Sequence, residues 1–250
     1  MDDKKVIEVE DQSPHNARVF ERALVVVAHP DDPEFLFGAT VARLVREGTE
    51  VCYLICSDGV NGSKDPTTPN EVVAATRYNE QRAAAASLGV SEVTFLGFSD
   101  GRLTPSFELR SSIARQIRRI RPELVITHFP RRVLEIPMEA SHPDHTAVGE
   151  ATLCASYPDA ANYRALPELL REDLQPHRVK EIWMPGYERA NHFVDATPYL
   201  QKKIEAILCH KSQMPDPEST APPAWVCEWM KWAGAKKGYE YAEEFTRIKV

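Results

Sequence analysis

The sequence has no run of the roughly 18 to 20 apolar residues that a membrane-spanning helix needs. Its first 22 residues, MDDKKVIEVEDQSPHNARVFER, are charged and lack an apolar stretch, so they do not read as a secretory leader. There is no Cys-x-x-Cys pair. The five cysteines (Cys52, Cys56, Cys154, Cys209, Cys227) are odd in number and scattered. A disulfide framework and a zinc ribbon are therefore not expected, and a reducing compartment is. With neither span nor leader, the expected location is the cytoplasm. Positive charge is in deficit: 30 Lys and Arg stand against 37 Asp and Glu, a net charge of -7. Such a balance does not suit a nucleic-acid binder. What is present is ordinary for a folded protein. Of 250 residues, 43% are hydrophobic and 27% charged, enough for one large domain and its core.

The chain shows no internal repeat. Residues 1-22 read as a polar lead-in and 23-250 as a single domain. Ala23 to Ala28 is a continuous apolar run, the pattern of a strand buried on both faces. A helix is expected from Ala39 to Glu47, stopped by Gly48, and a strand from Glu50 to Cys56. The alternation continues with a helix from Glu71 to Leu88 closed by Gly89, a strand at Val93 to Leu96, and a helix starting near Ser106 and running to Ile120. A strand at Leu124 to Thr127, a helix at His145 to Tyr157, a strand at Ile182 to Met184 and a helix at Pro198 to Cys209 follow. The tail from Pro222 to Val250 reads as helical, with a loop at Gly234 to Gly238. Strands alternating with helices predict an α/β fold, a Rossmann-like sandwich of three layers with a mostly parallel sheet. In such folds the site lies beyond the carboxyl ends of the strands.

At that place the glycine-rich signatures of nucleotide enzymes are missing. The first strand runs instead into His29-Pro30-Asp31-Asp32-Pro33-Glu34. Carboxylates there would repel a pyrophosphate. An imidazole and carboxylates so close together suit a divalent metal such as zinc, although proline and aspartate are also common turn residues. A second cluster, Ser141-His142-Pro143-Asp144-His145, follows the fourth strand. It also reads as a helix N-terminus, with Ser141 or Asp144 as cap and Pro143 in the first turn. The two clusters sit beyond different strands of one sheet and can converge.

Ala28-His29-Pro30-Asp31-Asp32 followed by His142-Pro143-Asp144-His145 resembles the LmbE-like (PIG-L) family of zinc-dependent N-acetylglucosaminyl deacetylases. The likeness extends to Val41 to Gly48, to Arg77, Glu80, Gln81 and Ala84 to Val90, to Phe95 to Leu103, and to Asn191 to Gln213, so that it covers about residues 23 to 248. It implies that His29, Asp32 and His145 hold one divalent metal, Zn2+ with Fe2+ as the competing ion. It makes Asp31 the general base. His142, as imidazolium, stabilises the oxyanion, and Asp144 orients His142 and raises its pKa. Arg77 matches an arginine that helps hold the substrate; by itself it also reads as a solvated helix residue. Asp58, at the second strand's end, is a candidate for sugar hydroxyls or for closing its loop. Two features depart from the commonest family pattern. Pro33 precedes Glu34, which puts a direct role for Glu34 in doubt, and the loop from Arg131 to Ala140 lacks the Asp or Asn often found before the second motif.

The expected activity is hydrolysis of the acetamide of an N-acetylated amino sugar or its conjugate. The alternatives are cleavage of another conjugated amide and a catalytically inactive sugar-binding protein. The expected partner is a small amino-sugar substrate, without nucleic acid or a membrane span, and the resemblance allows a homo-oligomer. His128 and His192 carry no clear role, and His15, His177 and His210 have no supporting cluster. Trp225, Trp229 and Trp232 fall on one helix face, read as core or a subunit contact. The arginines from Arg115 to Arg121 read as a solvated face or a pairing surface for acidic groups.

Overall fold

A computed structural model describes residues 20–136 and 138–250. Seven strands form one sheet: β1 (Arg22–Val27), β2 (Glu50–Ser57), β3 (Glu92–Phe98), β4 (Leu124–Thr127), β5 (Glu181–Pro185), β6 (His192–Asp195) and β7 (Ala242–Lys249). Their order is β3-β2-β1-β4-β5-β7-β6. The first five strands run parallel, and β7 lies antiparallel between β5 and β6. The helices are α1 (Asp32–Arg46), α2 (Asn70–Leu88), α3 (Phe107–Ile120), α4 (Pro143–Cys154), α5 (Pro167–Arg171), α6 (Leu200–Ile207) and α7 (Ala224–Ala235).

Both faces of the sheet are covered, which is why β1 is apolar throughout. Successive side chains of a strand point to opposite faces. Leu24 and Val26 pack with Leu109, Ile113 and Ile117 of α3 and Val148 of α4. Val25 and Val27 pack on the other side with Phe37 and Val41 of α1 and Ala84 of α2. This is the expected three-layer, mostly parallel sandwich. Phe20 is already buried, edge-on against Trp183, so the packed structure begins inside the expected lead-in; residues 1–19 lie outside the described ones, His15 among them.

Several element boundaries move. α1 begins at Asp32, not Ala39: Pro33 takes an early helical position and Asp32 and Glu34 sit in the first turn, where backbone N–H groups favour negative charge. α4 begins at Pro143, not His145, and at Cys154 it passes into a wider π turn over Ala155–Asp159 that contains Pro158. α3 starts where expected, with Ser106 Oγ accepting the Leu109 N–H at 3.2 Å. The tail is not helical throughout. After α7 it returns as β7, an edge-to-edge partner for both β5 and β6, and β6 was not anticipated. β7 hides its strand character because Glu243 and Glu244 are buried. Glu243 accepts the N–H groups of Ala39 and Thr40 at 3.1 and 2.7 Å and the Lys203 ammonium at 2.6 Å. The tryptophan face of α7 is not core. Val226, Met230 and Ala233 are buried, whereas Trp225, Trp229 and Trp232 line a cavity of about 850 Å³ with Phe35 and Tyr187.

The strand order reverses direction at β1. Its neighbours β2 and β4 lead to opposite halves of the sheet, and such a switch point opens a crevice beyond the carboxyl ends. The segment after β1 and the segments after β4 meet there.

Candidate active site

His29 leaves the end of β1 and is followed by a sharp turn. Asp31, which precedes α1, has φ 119° and ψ -32°. A non-glycine residue in such a sparsely populated region costs on the order of 1–3 kcal/mol and is held by its surroundings. Here the holds are visible. The Asp31 N–H donates to Gln81 Oε1 at 2.8 Å, and the Arg77 guanidinium donates to Asp31 Oδ2 at 2.9 Å and to the carbonyls of Pro30 and Gly59. Burial raises the Asp31 pKa, and the positive Arg77 opposes it.

Three side chains converge one step further on. His29 Nδ1 lies 3.2 Å from His145 Nε2, His145 Nε2 lies 3.1 Å from Asp32 Oδ1, and His29 Nδ1 lies 3.4 Å from Asp32 Oδ2. Donor atoms about 3.3 Å apart are what a tetrahedral ion with bonds near 2.0 Å requires. The other nitrogen of His29, Nε2, faces Asp100 Oδ1 at 3.1 Å and Asp144 Oδ2 at 3.3 Å. A proton shared with those carboxylates leaves Nδ1 as a lone pair turned toward His145 and Asp32, the usual arrangement of a metal-ligating histidine. Burial works against charge on His29, yet the carboxylates of Asp32, Asp100 and Asp144 outweigh it and hold its pKa well above the ordinary value. Asp32 is buried too, but His145, His128 and His29 bring its pKa well below the usual carboxylate range. Among the described residues three overlapping groups could hold a metal ion: His29, His142 and His145; Asp32, His128 and His145; and His29, Asp100 and Asp144.

The remaining expected residues fall as follows. His142 caps α4, its Nδ1 accepting the Asp144 N–H at 3.2 Å. With Nδ1 accepting, a neutral ring carries its proton on Nε2 and donates from there. Burial, His29 and His145 lower the His142 pKa, and Asp144 and Asp32 act the other way. The Asp144 carboxylate acts to raise the His142 pKa, as the resemblance implies, while its hydrogen bonds go elsewhere. It turns to His29 and accepts the Gly101 and Leu103 N–H groups at 2.7 and 3.1 Å, because its place in the first turn of α4 points it back under the cluster. Arg77 is buried, not solvated, and its bonds go to Asp31 and the turn around it. Asp58 accepts the Val60 and Asp100 N–H groups at 3.2 Å and so closes its loop.

His128, ambiguous in sequence, is a wall of the site. Its ring stacks on His145 with centroids 4.0 Å apart, and Nε2 accepts the Ala28 N–H at 3.0 Å. Burial pushes its pKa down to about 4. Asp100, Glu34 and His210 were missed as functional candidates. Asp100 lay within the likeness from Phe95 to Leu103 but was given no role. His210 proves to be buried and bonded to Glu34 at 2.9 Å; nothing near it in sequence signals this, since its partner is 176 residues away. The spacing of Arg77 and Gln81, one helical turn apart, did place them on one face.

A family model described as PIG-L, GlcNAc-PI de-N-acetylase, matches residues 24–156. The chain belongs to that family. It is 29% identical over 227 residues to the diacetylchitobiose deacetylase of Thermococcus kodakarensis, covering 89% of this chain and 81% of that one. It is also 29% identical to a probable N-acetyl-alpha-D-glucosaminyl L-malate deacetylase 2 of Bacillus anthracis, covering 76% and 80%. Among solved structures it resembles the N,N'-diacetylchitobiose deacetylase of Pyrococcus horikoshii complexed with an inhibitor, with a TM-score of 0.84 and 27% identity over 92% of this chain and 84% of that one. These PIG-L relatives are deacetylases of N-acetylglucosamine compounds. No helix among the described residues is long and apolar enough to cross a membrane.

Proposed function

We propose that this PIG-L family chain is a metal-dependent hydrolase that removes the acetyl group of an N-acetylated amino sugar or its conjugate. The observation that supports the reading most is the triangle of His29, Asp32 and His145 donor atoms with the Asp31 carboxylate in the turn beside it. The donor set favours Zn2+, with Fe2+ as the competing ion. Bound there, such an ion supplies a Lewis acid that polarises the amide carbonyl and acidifies a water.

Asp31, kept ionised by Arg77 and a nearby cation, takes a proton from the water as its oxygen attacks the acetyl carbon. His142 donates from Nε2 to the oxygen that gains negative charge. Asp31 then returns the proton to the departing nitrogen, and acetate and a free amine are released. Asp100 and Asp144 hold the ring of His29. The substrate roles of Arg77 and Asp58 become indirect in this reading, since Arg77 fixes the base and Asp58 ties the loop after β2 to the loop that carries Asp100.

The test is acetate and amine release over a panel of N-acetylglucosamine conjugates and unrelated amides, with the metal-loaded chain and Asp31→Ala. Release from acetamido sugars, lost by about 100-fold or more in a variant that keeps its metal, is the expected result. Release only from other amides would replace the substrate class. Near-full activity of Asp31→Ala would remove it as the base.

A further inference from the structure

Behind Asp31 lies a buried polar chain that the reaction above does not use. Gln81 and Glu34 are fully buried and His210 is 1% exposed. His210 Nε2 lies 2.9 Å from Glu34 Oε2, Gln81 Nε2 donates to both Glu34 oxygens at 3.0 Å, and Gln81 Oε1 accepts the Asp31 N–H at 2.8 Å. Each bond fixes the direction of the next. The Glu34 carboxylate can only accept, so it draws the amino side of the Gln81 amide toward itself. The carbonyl side must then face Asp31. A flipped amide would set its NH2 against the Asp31 N–H and its oxygen against the carboxylate. Glu34 closes the same turn from below, its own N–H donating to the Asp31 carbonyl at 3.1 Å.

We infer that Gln81, Glu34 and His210 are positioning residues that hold the backbone of Asp31 in its positive-φ conformation, while Arg77 holds its carboxylate. The inference rests on the reading of Asp31 as general base. It assigns a role at the site to α2 and to the segment after α6, and His210 lies outside the stretch that the family model matches. It also gives Glu34 a task that needs no contact with metal or substrate.

The test uses the full chain and four proteins: wild type, Gln81→Met, Asp31→Ala and the double variant. Two readouts are taken, the crystal structure of Gln81→Met and the kinetics of an N-acetylglucosamine conjugate that wild type turns over. Asp31 is expected to leave its positive φ in Gln81→Met, with about one metal per chain retained. Misplacing a catalytic group by about 1 Å costs on the order of 10- to 100-fold, so kcat should fall by that factor while KM stays within about twofold. In the Asp31→Ala background the same change should cost less than about twofold, because a residue acting through Asp31 has nothing left to position. An Asp31 that keeps its φ, an unchanged kcat, or losses that multiply in the double variant would each overturn the inference. If wild type releases no acetate from any sugar, the proposed function fails by itself, and the conformation of Asp31 in the variant still decides this inference. Gln81→Asn, which draws the amide back by one methylene, serves where Gln81→Met does not fold.

Discussion

The chain buries two dense polar clusters, and they are built on opposite principles. Around Arg118 of α3, one guanidinium donates to the carbonyls of Asp159, Ala160, Asn162, Leu166 and Leu174. It is a donor surrounded by acceptors, complete in itself, and it ties down the irregular stretch after α4. At the crevice beyond β1 and β4, groups of like kind face one another: two ring nitrogens 3.2 Å apart, and carboxylates gathered on His29. That cluster gathers ligand atoms that could hold a cation. Burial alone thus does not mark a site. The marker is a set of imidazoles and carboxylates that converges on one point.

The contrast can be broken most sharply at Asp32. Asp32→Ala takes the only carboxylate from the triangle, and metal content, read by elemental analysis, should fall from about one per chain to near zero, with turnover down on the order of 1000-fold or more. Metal retained at the wild-type level would mean that the donor set is a different one. Next, His142→Ala should keep its metal and lose about 100- to 1000-fold in kcat, the usual cost of one oxyanion donor. A loss confined to KM would make His142 a binding residue. At the other cluster, Arg118→Met takes the shared donor from five carbonyls, three of them in buried bonds, and should cost about 2–4 kcal/mol in urea denaturation. Its turnover per folded molecule should not change; if it does, the two clusters are not separate in function.

The smallest effect concerns His210. Burial opposes its charge, but Glu34 outweighs burial and raises its pKa, with Asp31 and Glu80 adding to the effect. A raised folded value means that the stabilisation is complete below the unfolded value near 6.5 and is lost as pH rises through the folded one. The melting-temperature difference between wild type and His210→Gln should therefore shrink from pH 6 to pH 9. A difference that is constant or grows would show that His210 is held neutral.

Much of this was legible in the sequence because it is local. The apolar run of β1, the Gly89 stop of α2 and the Ser106 cap of α3 each depend on a few neighbouring residues. The two histidine motifs could be seen to follow strands, so their meeting could be expected. What escaped was long-range. The acids of β7 look like a solvated face until Lys203 and the N–H groups of α1 are found beside them. The first turn of α1 was hidden because His29 to Glu34 also read as a strand-end turn of proline and aspartate. The bonds of Asp144 were not visible either: its carboxylate turns to His29, 115 residues away, and to the Gly101 and Leu103 N–H groups. His210 fell within the likeness from Asn191 to Gln213, but its partner Glu34 lies 176 residues away.

The seating of the site at the seam between β1 and β4 also bears on how the protein comes into being. His29 and His145 are 116 residues apart, and Glu34 waits 176 residues for His210. A nascent chain of half length has the first motif, a strand to carry it and no site. On the proposed reading, an ion held by His29 and His145 would close a loop longer than a hundred residues and tie the early half of the chain to the later one, as a cross-link would. Its capture would then come late, once synthesis has passed the fourth strand.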